Sequence, residues 1–180
     1  MAADRASKAS DDAPVGDRLQ PSLLDRLTDL APDTRTEAPD QVAMTRTRLR
    51  RAVLRDLAWL FNAINLEADQ SLADHPHART STINYGIPAL SGTKLTEINF
   101  SQFDQALTDA IIAFEPRLLA DSVHVQSTTT EDQIAHQNML GFEVRAKLWA
   151  MPYPLELLLR SNLDLESGLV VLQEQAGPIS

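Results

Sequence analysis

The chain has no cysteine, which excludes disulfides, thiolate-held zinc, iron–sulfur clusters and a thiol nucleophile. Packing and hydrogen bonds must hold the fold, which fits a reducing cytosol. Glycine is scarce, six in 180 residues, and the sequence contains no glycine-rich phosphate loop, no G-x-S-x-G elbow and no H-E-x-x-H. The enzyme classes built on those motifs recede. The longest apolar stretches, around Leu57 to Ile64 and Leu169 to Leu172, fall far short of the roughly 20 residues needed to span a bilayer, so no membrane insertion is expected. The opening residues, Met1 to Asp17, lack the apolar core of a secretory signal and place acids where it should be basic, so no export is expected. Positive charge is in deficit: 16 Lys and Arg against 25 Asp and Glu give a net −9, and nucleic acid is not an expected partner of so acidic a body.

What remains is enough to fold. At 43% hydrophobic and 180 residues the chain has the composition of one globular domain. Residues 1–40 are rich in Asp, Ala, Pro, Ser and Thr and read as a largely flexible acidic arm. Within it, over residues 21–30, Ser22 can cap a short helix that displays Leu23, Leu24 and Leu27 to one side. That helix is either a docking peptide or packs on its own domain.

The domain proper is expected over residues 41–180. From about Ala43 to Leu66, the positions Leu49, Val53, Leu57, Leu60, Phe61 and Ile64 recur at helical spacing and predict a core helix. Its first half carries Arg46, Arg48, Arg50, Arg51 and Arg55, with no acid until Asp56. These arginines either meet a partner's acidic surface or neutralise the molecule's own acids. Turn residues dominate from Asp69 to Pro88, and His75 and His77 within them read as an exposed turn more readily than as metal ligands. A second helix follows, with Ser101 and Asp104 as a capping box, an apolar stripe from Phe103 to Phe114, and an end imposed by Pro116.

The period then changes from helical to two. Val123 and Val125 begin a strand, Leu140 to Leu148 alternate apolar with polar, and Leu157 to Leu165 turn through Ser167-Gly168 into Leu169 to Leu172. His124 and His136 fall at or near strands and read as structural. The expected fold class is α+β, with N-terminal amphipathic helices packed on a small, mainly antiparallel sheet. A last strand near the chain end is a candidate edge, able to pair with a strand of another chain.

One local feature stands apart. Glu115-Pro116-Arg117 puts two opposite charges in a proline-stiffened turn between helix and strand, where the pair either braces the junction or offers a preorganised fork to a partner. A hydrolase acting on sugar polymers would need two carboxylates, one held protonated. Glu115 beside Phe114 is the best single candidate, but nearby Arg117 favours its ionised form and no second carboxylate can be picked.

The run Phe114-Glu115-Pro116-Arg117-Leu118 after such a helix resembles the hallmark of baseplate proteins related to a contractile-phage wedge protein once labelled an acidic lysozyme. Ser22 to Leu27, Leu49 to Asn62, Ser81 to Leu90 and the final Leu-rich hairpin agree, and together they resemble the TssE family of type VI secretion baseplate subunits. The resemblance covers about Pro21 to Gln173. It implies a cytoplasmic structural subunit with a sheath-handshake-like domain and no cofactor. Such a subunit joins the wedge, built around TssF and TssG with TssK, to the first sheath ring of TssB and TssC, and the sheath extends from it by strand addition. Glu115, Pro116 and Arg117 would then form the wedge-facing or bracing element. The residues themselves add Arg48, Arg51 and Arg55 as candidates for wedge docking, and Leu169, Val170 and Val171 for main-chain pairing with the sheath. The family's old label makes a muramidase-like hydrolase the rival reading.

Overall fold

The structure is a computed structural model and describes residues 21–28, 33, 45–90, 98–129, 138–150 and 153–175. Most of the expected arm, together with Ala43, Met44 and His136, lies outside these residues. Within them the fold is α+β, as the sequence predicts. Helices α1 (Leu23–Leu27), α2 (Arg46–Phe61), α3 (Pro76–Arg79) and α4 (Phe100–Phe114) accompany a four-stranded sheet. Its strands β1 (His124–Ser127), β2 (Met139–Leu148), β3 (Leu155–Asp164) and β4 (Val170–Glu174) are antiparallel and lie in chain order.

Alternation decides which sheet face is dry. Register places Leu140 beside Leu163, Phe142 beside Ser161, Val144 beside Leu159 and Ala146 beside Leu157, all buried. The opposite face carries Glu143, Arg145, Lys147 and Arg160. Helices α2 and α4 both pack on the dry face. Phe61 from α2 and Phe103 from α4 each set a ring edge-to-face with Phe142, with centroids 5.7 Å apart in both pairs. Phe142 is 0% exposed and so joins both helices to the longest hairpin, an arrangement that adds roughly 1 kcal/mol per ring pair beyond burial.

Two local expectations need correction. The first long helix stops at Phe61, because Asn62 turns its side chain away to the sheet, so Ile64 leaves the apolar stripe and is 65% exposed. The second is capped by Asn99, whose side chain accepts from the Gln102 amide at 3.2 Å, rather than by Ser101. Asp104, freed from a capping box, reaches across to Ser127 on β1.

After α2 the chain folds back on itself through Gly86, whose φ is +127°. A Cβ there would lie 2.4 Å from the Ala63 carbonyl oxygen, to which the Ile87 amide donates at 2.9 Å, so only glycine fits this close approach. The β3–β4 turn uses Gly168 at φ +74°, and Asp164 Oδ1 accepts from the Glu166 amide at 2.8 Å within it. These two turns fix the end of α2 against the end of the sheet.

Candidate docking site

Helix α4 ends because Pro116 cannot continue it. The Glu115 amide closes the last turn on the Ile111 carbonyl at 2.8 Å, and the Leu118 amide then folds back on the Glu115 carbonyl at 3.1 Å. The segment that follows is stitched to β2: the Trp149 amide donates to the Arg117 carbonyl at 2.8 Å and the Leu119 amide to the Lys147 carbonyl at 2.9 Å. The Glu-Pro-Arg corner therefore has its backbone fixed on both sides.

Its side chains are fixed as well. Glu115 is 3% exposed, and its Oε1 accepts from the Arg117 amide at 3.1 Å and from Arg117 Nε at 2.7 Å, while Oε2 accepts from Arg117 Nη2. The same Nη2 reaches Asp56 Oδ2 on α2 at 2.6 Å. Asp56 Oδ1 in turn accepts from Arg55 Nε at 2.8 Å, and Arg55 Nη1 donates to Asp25 Oδ1 on α1 at 2.6 Å. Five charged groups thus run in one chain from α1 across α2 to the end of α4. Burial opposes the charge on Arg117, but Glu115 and Asp56 outweigh it and hold the guanidinium far above its ordinary pKa. Burial likewise pushes Asp25 upward, yet hydrogen bonds from Ser22 and Arg55 leave its carboxyl below the ordinary value. Tyr85 is raised by burial and by the charges of Asp56 and Glu115.

Beside the corner lies a cleft of about 410 Å³, walled by Leu57, Leu60, Tyr85, Phe114, Pro116 and Arg117. Tyr85 and Phe114 meet edge-to-face at 5.2 Å across it. Arg55 Nη2 and Arg117 Nη1 are buried and have no hydrogen-bond partner among the described residues. Of the two residues, Arg117 lines the cleft and Arg55 does not, so one buried donor group lies beside the apolar cleft without a partner among the described residues. As a general acid the site fails on geometry, because both Glu115 oxygens are taken by Arg117 and neither is left to carry a proton to a leaving group.

The arginine-rich start of α2 divides. Arg48, Arg51 and Arg55 share a face at three-and-four spacing, but only Arg55 turns into the corner, where it also lies 5.0 Å over the Trp59 ring. Arg48 and Arg51 are exposed. Arg50, part of the run but not among the wedge-docking candidates, is ion-paired with Glu174 on β4. Asp25 and Asp56 were equally hidden. Their one sequence signal is that Asp56 is the first acid after the arginine run. Helix α1 forms as expected, with Ser22 accepting from the Asp25 amide at 3.3 Å, but Leu23 and Leu27 stay 70% and 74% exposed.

The candidates on the last strand are separated by the pleat. Leu169 and Val171 are exposed and Val170 is buried. β4 pairs only with β3 among the described residues, so it is an edge, as is β1 at the other side. Among the described residues no three His, Cys, Asp or Glu side chains group as metal ligands, and no helix is long and apolar enough to cross a membrane.

The fold thus sets a stiff, ion-paired corner on an antiparallel sheet that has two edges among the described residues. Residues 47–153, more than half of the chain, match the family described as baseplate wedge protein gp25. The chain belongs to that family of baseplate structural proteins. Neither the search of curated proteins nor that of solved structures found a match.

Proposed function

We propose that the chain is the TssE-type subunit of a type VI secretion baseplate. It is a passive joint on the cytoplasmic face of the inner membrane, and it links the wedge of TssF, TssG and TssK to the first sheath ring of TssB and TssC. Its corner faces the wedge, and its sheet takes on a strand from the sheath. Family membership supports the baseplate role.

The observation that carries the finer reading is the charge chain from Asp25 to Glu115. It ties α1, which lies outside the family match and belongs to the resemblance with type VI subunits, into the same rigid frame as the corner. The frame holds three carboxylates against two guanidinium groups, so it does not call for an anion. The unpartnered Arg117 Nη1 beside the cleft calls for a neutral acceptor, such as a backbone carbonyl of a docked segment whose apolar side chain fills the cleft.

The reading is tested in a bacterium deleted for this chain that carries fluorescent TssB. Sheath assembly should be lost and should return with the wild-type chain. Sheaths that form equally well without it would overturn the proposal.

A further inference from the structure

We propose that an extended segment of another protein joins the sheet along β4 rather than β1, and that the Asn62 carboxamide sets where that segment can begin to pair. The inference rests on the strand-addition reading above and deepens it by naming the edge and its stop.

The ladder bonds that flank β4 fix its pleat. The Asp164 amide donates to the Leu169 carbonyl at 3.0 Å and the Gln175 amide to the Leu158 carbonyl at 3.0 Å. In an antiparallel pair such contacts alternate. Leu169, Val171, Gln173 and Gln175 therefore aim their peptide groups at β3, and Val170, Leu172 and Glu174 aim theirs outward. The first outward position is already filled. Asn62 Oδ1 accepts from the Val170 amide at 2.9 Å, and Asn62 Nδ2 donates to the Val170 carbonyl at 3.0 Å and to the Ala58 carbonyl at 2.8 Å. One donor and two acceptors around it fix the orientation of the carboxamide. Asn62 thus imitates one residue of a neighbouring strand and closes the edge at Val170, leaving Leu172 and Glu174 as two successive outward positions.

The β1 edge offers less. The Thr128 amide donates to the Gly141 carbonyl at 2.8 Å, so by the same alternation Val123, Val125 and Ser127 face outward. Asp104 on α4 takes the Ser127 amide at 3.1 Å, and the Val123 amide is turned back to the Ala120 carbonyl at 3.4 Å. Among the described residues only Val125 is left between them, too little for a ladder.

The occupant is a different chain rather than a second copy. A net charge of −9 repels two copies, a penalty that a segment of another protein need not carry. Leu172 packs against the core while Val171 and Gln173 lie on the wet face, so the incoming segment should alternate in kind, with an apolar side chain beside Leu172.

The test is residue-resolved amide hydrogen exchange on the full chain, alone and assembled with TssB–TssC. In the free wild type, Val170 should be protected and Leu172 and Glu174 exchange freely. Asn62→Ala should speed Val170 exchange roughly three- to tenfold. On assembly, Leu172 and Glu174 should gain protection. Unprotected Val170 in the free wild type would overturn the stop even if Asn62→Ala does not fold. New protection at Val125 would overturn the choice of edge and leave strand addition standing. Assembly with no new protection on either edge would overturn both the proposal and the strand-addition reading.

Discussion

Arg117 Nη2 sits 2.6 Å from Asp56 Oδ2 while Arg117 Nε sits 2.7 Å from Glu115 Oε1, so one guanidinium joins two carboxylates that are 59 residues apart in the chain (115 − 56 = 59). Such a fork requires the planar, multiply donating head of arginine. Removing it strands Glu115, buried at 3% exposure, without a counter-charge. Arg117→Ala should lower unfolding stability by about 3 kcal/mol, and Arg117→Lys, which keeps charge but not the fork, by less. Urea unfolding checks this, and equal stability of all three proteins would contradict it.

Acid should loosen the docking of α1 on α2. The Asp25 carboxyl is held below its ordinary 3.8, because bonds from Ser22 and Arg55 outweigh the upward push of burial. Arg145 first, and then Arg160, hold Glu143 below its ordinary 4.5 against burial. Both groups bind fewer protons folded than unfolded. Their stabilisation is therefore complete above those ordinary values and drains away as pH falls below them, through the lowered folded values. Amide protection over residues 25–28 should fall below about pH 4. In Arg55→Gln it should be weaker throughout and respond less to acid, which amide exchange across a pH series reads out.

Ser161 is 2% exposed on the dry face opposite Phe142, and its hydroxyl has no hydrogen-bond partner among the described residues. An unsatisfied buried hydroxyl is costly, and a methyl group removes the cost without changing volume much. Ser161→Ala should raise stability by about 1 kcal/mol, measured as a higher urea midpoint with an unchanged slope.

Much of this architecture is legible in the sequence because it follows from periodicity. The stripe from Leu49 to Phe61 and the alternation from Val144 to Leu148 each report a one-sided environment, and their buried faces match, whereas Gly141 and Glu143 on the other face of the strand are buried as well. Proline and glycine punctuation at Pro116 and Gly168 marked the right boundaries. What stayed hidden depends on contacts between distant positions. Nothing local distinguishes Arg55, which turns into the corner, from Arg51, which is exposed, because the difference is made by Asp25 and Asp56 in three dimensions. Asn62 likewise looks like one more residue of a helix until Val170 is placed beside it. Ile64 fits the helical period and fails only because that side chain ends the helix early.

The central claim is that the Glu-Pro-Arg corner is the face through which the chain joins its wedge. Its most direct test is the composition of baseplates purified through TssG from cells carrying wild-type chain or Arg117→Ala, with Ser161→Ala as a folded control. The wild type and the control should co-purify in equal amount, while Arg117→Ala should be depleted at least tenfold relative to its own soluble, folded level in the same cells. Full incorporation of Arg117→Ala would contradict the account.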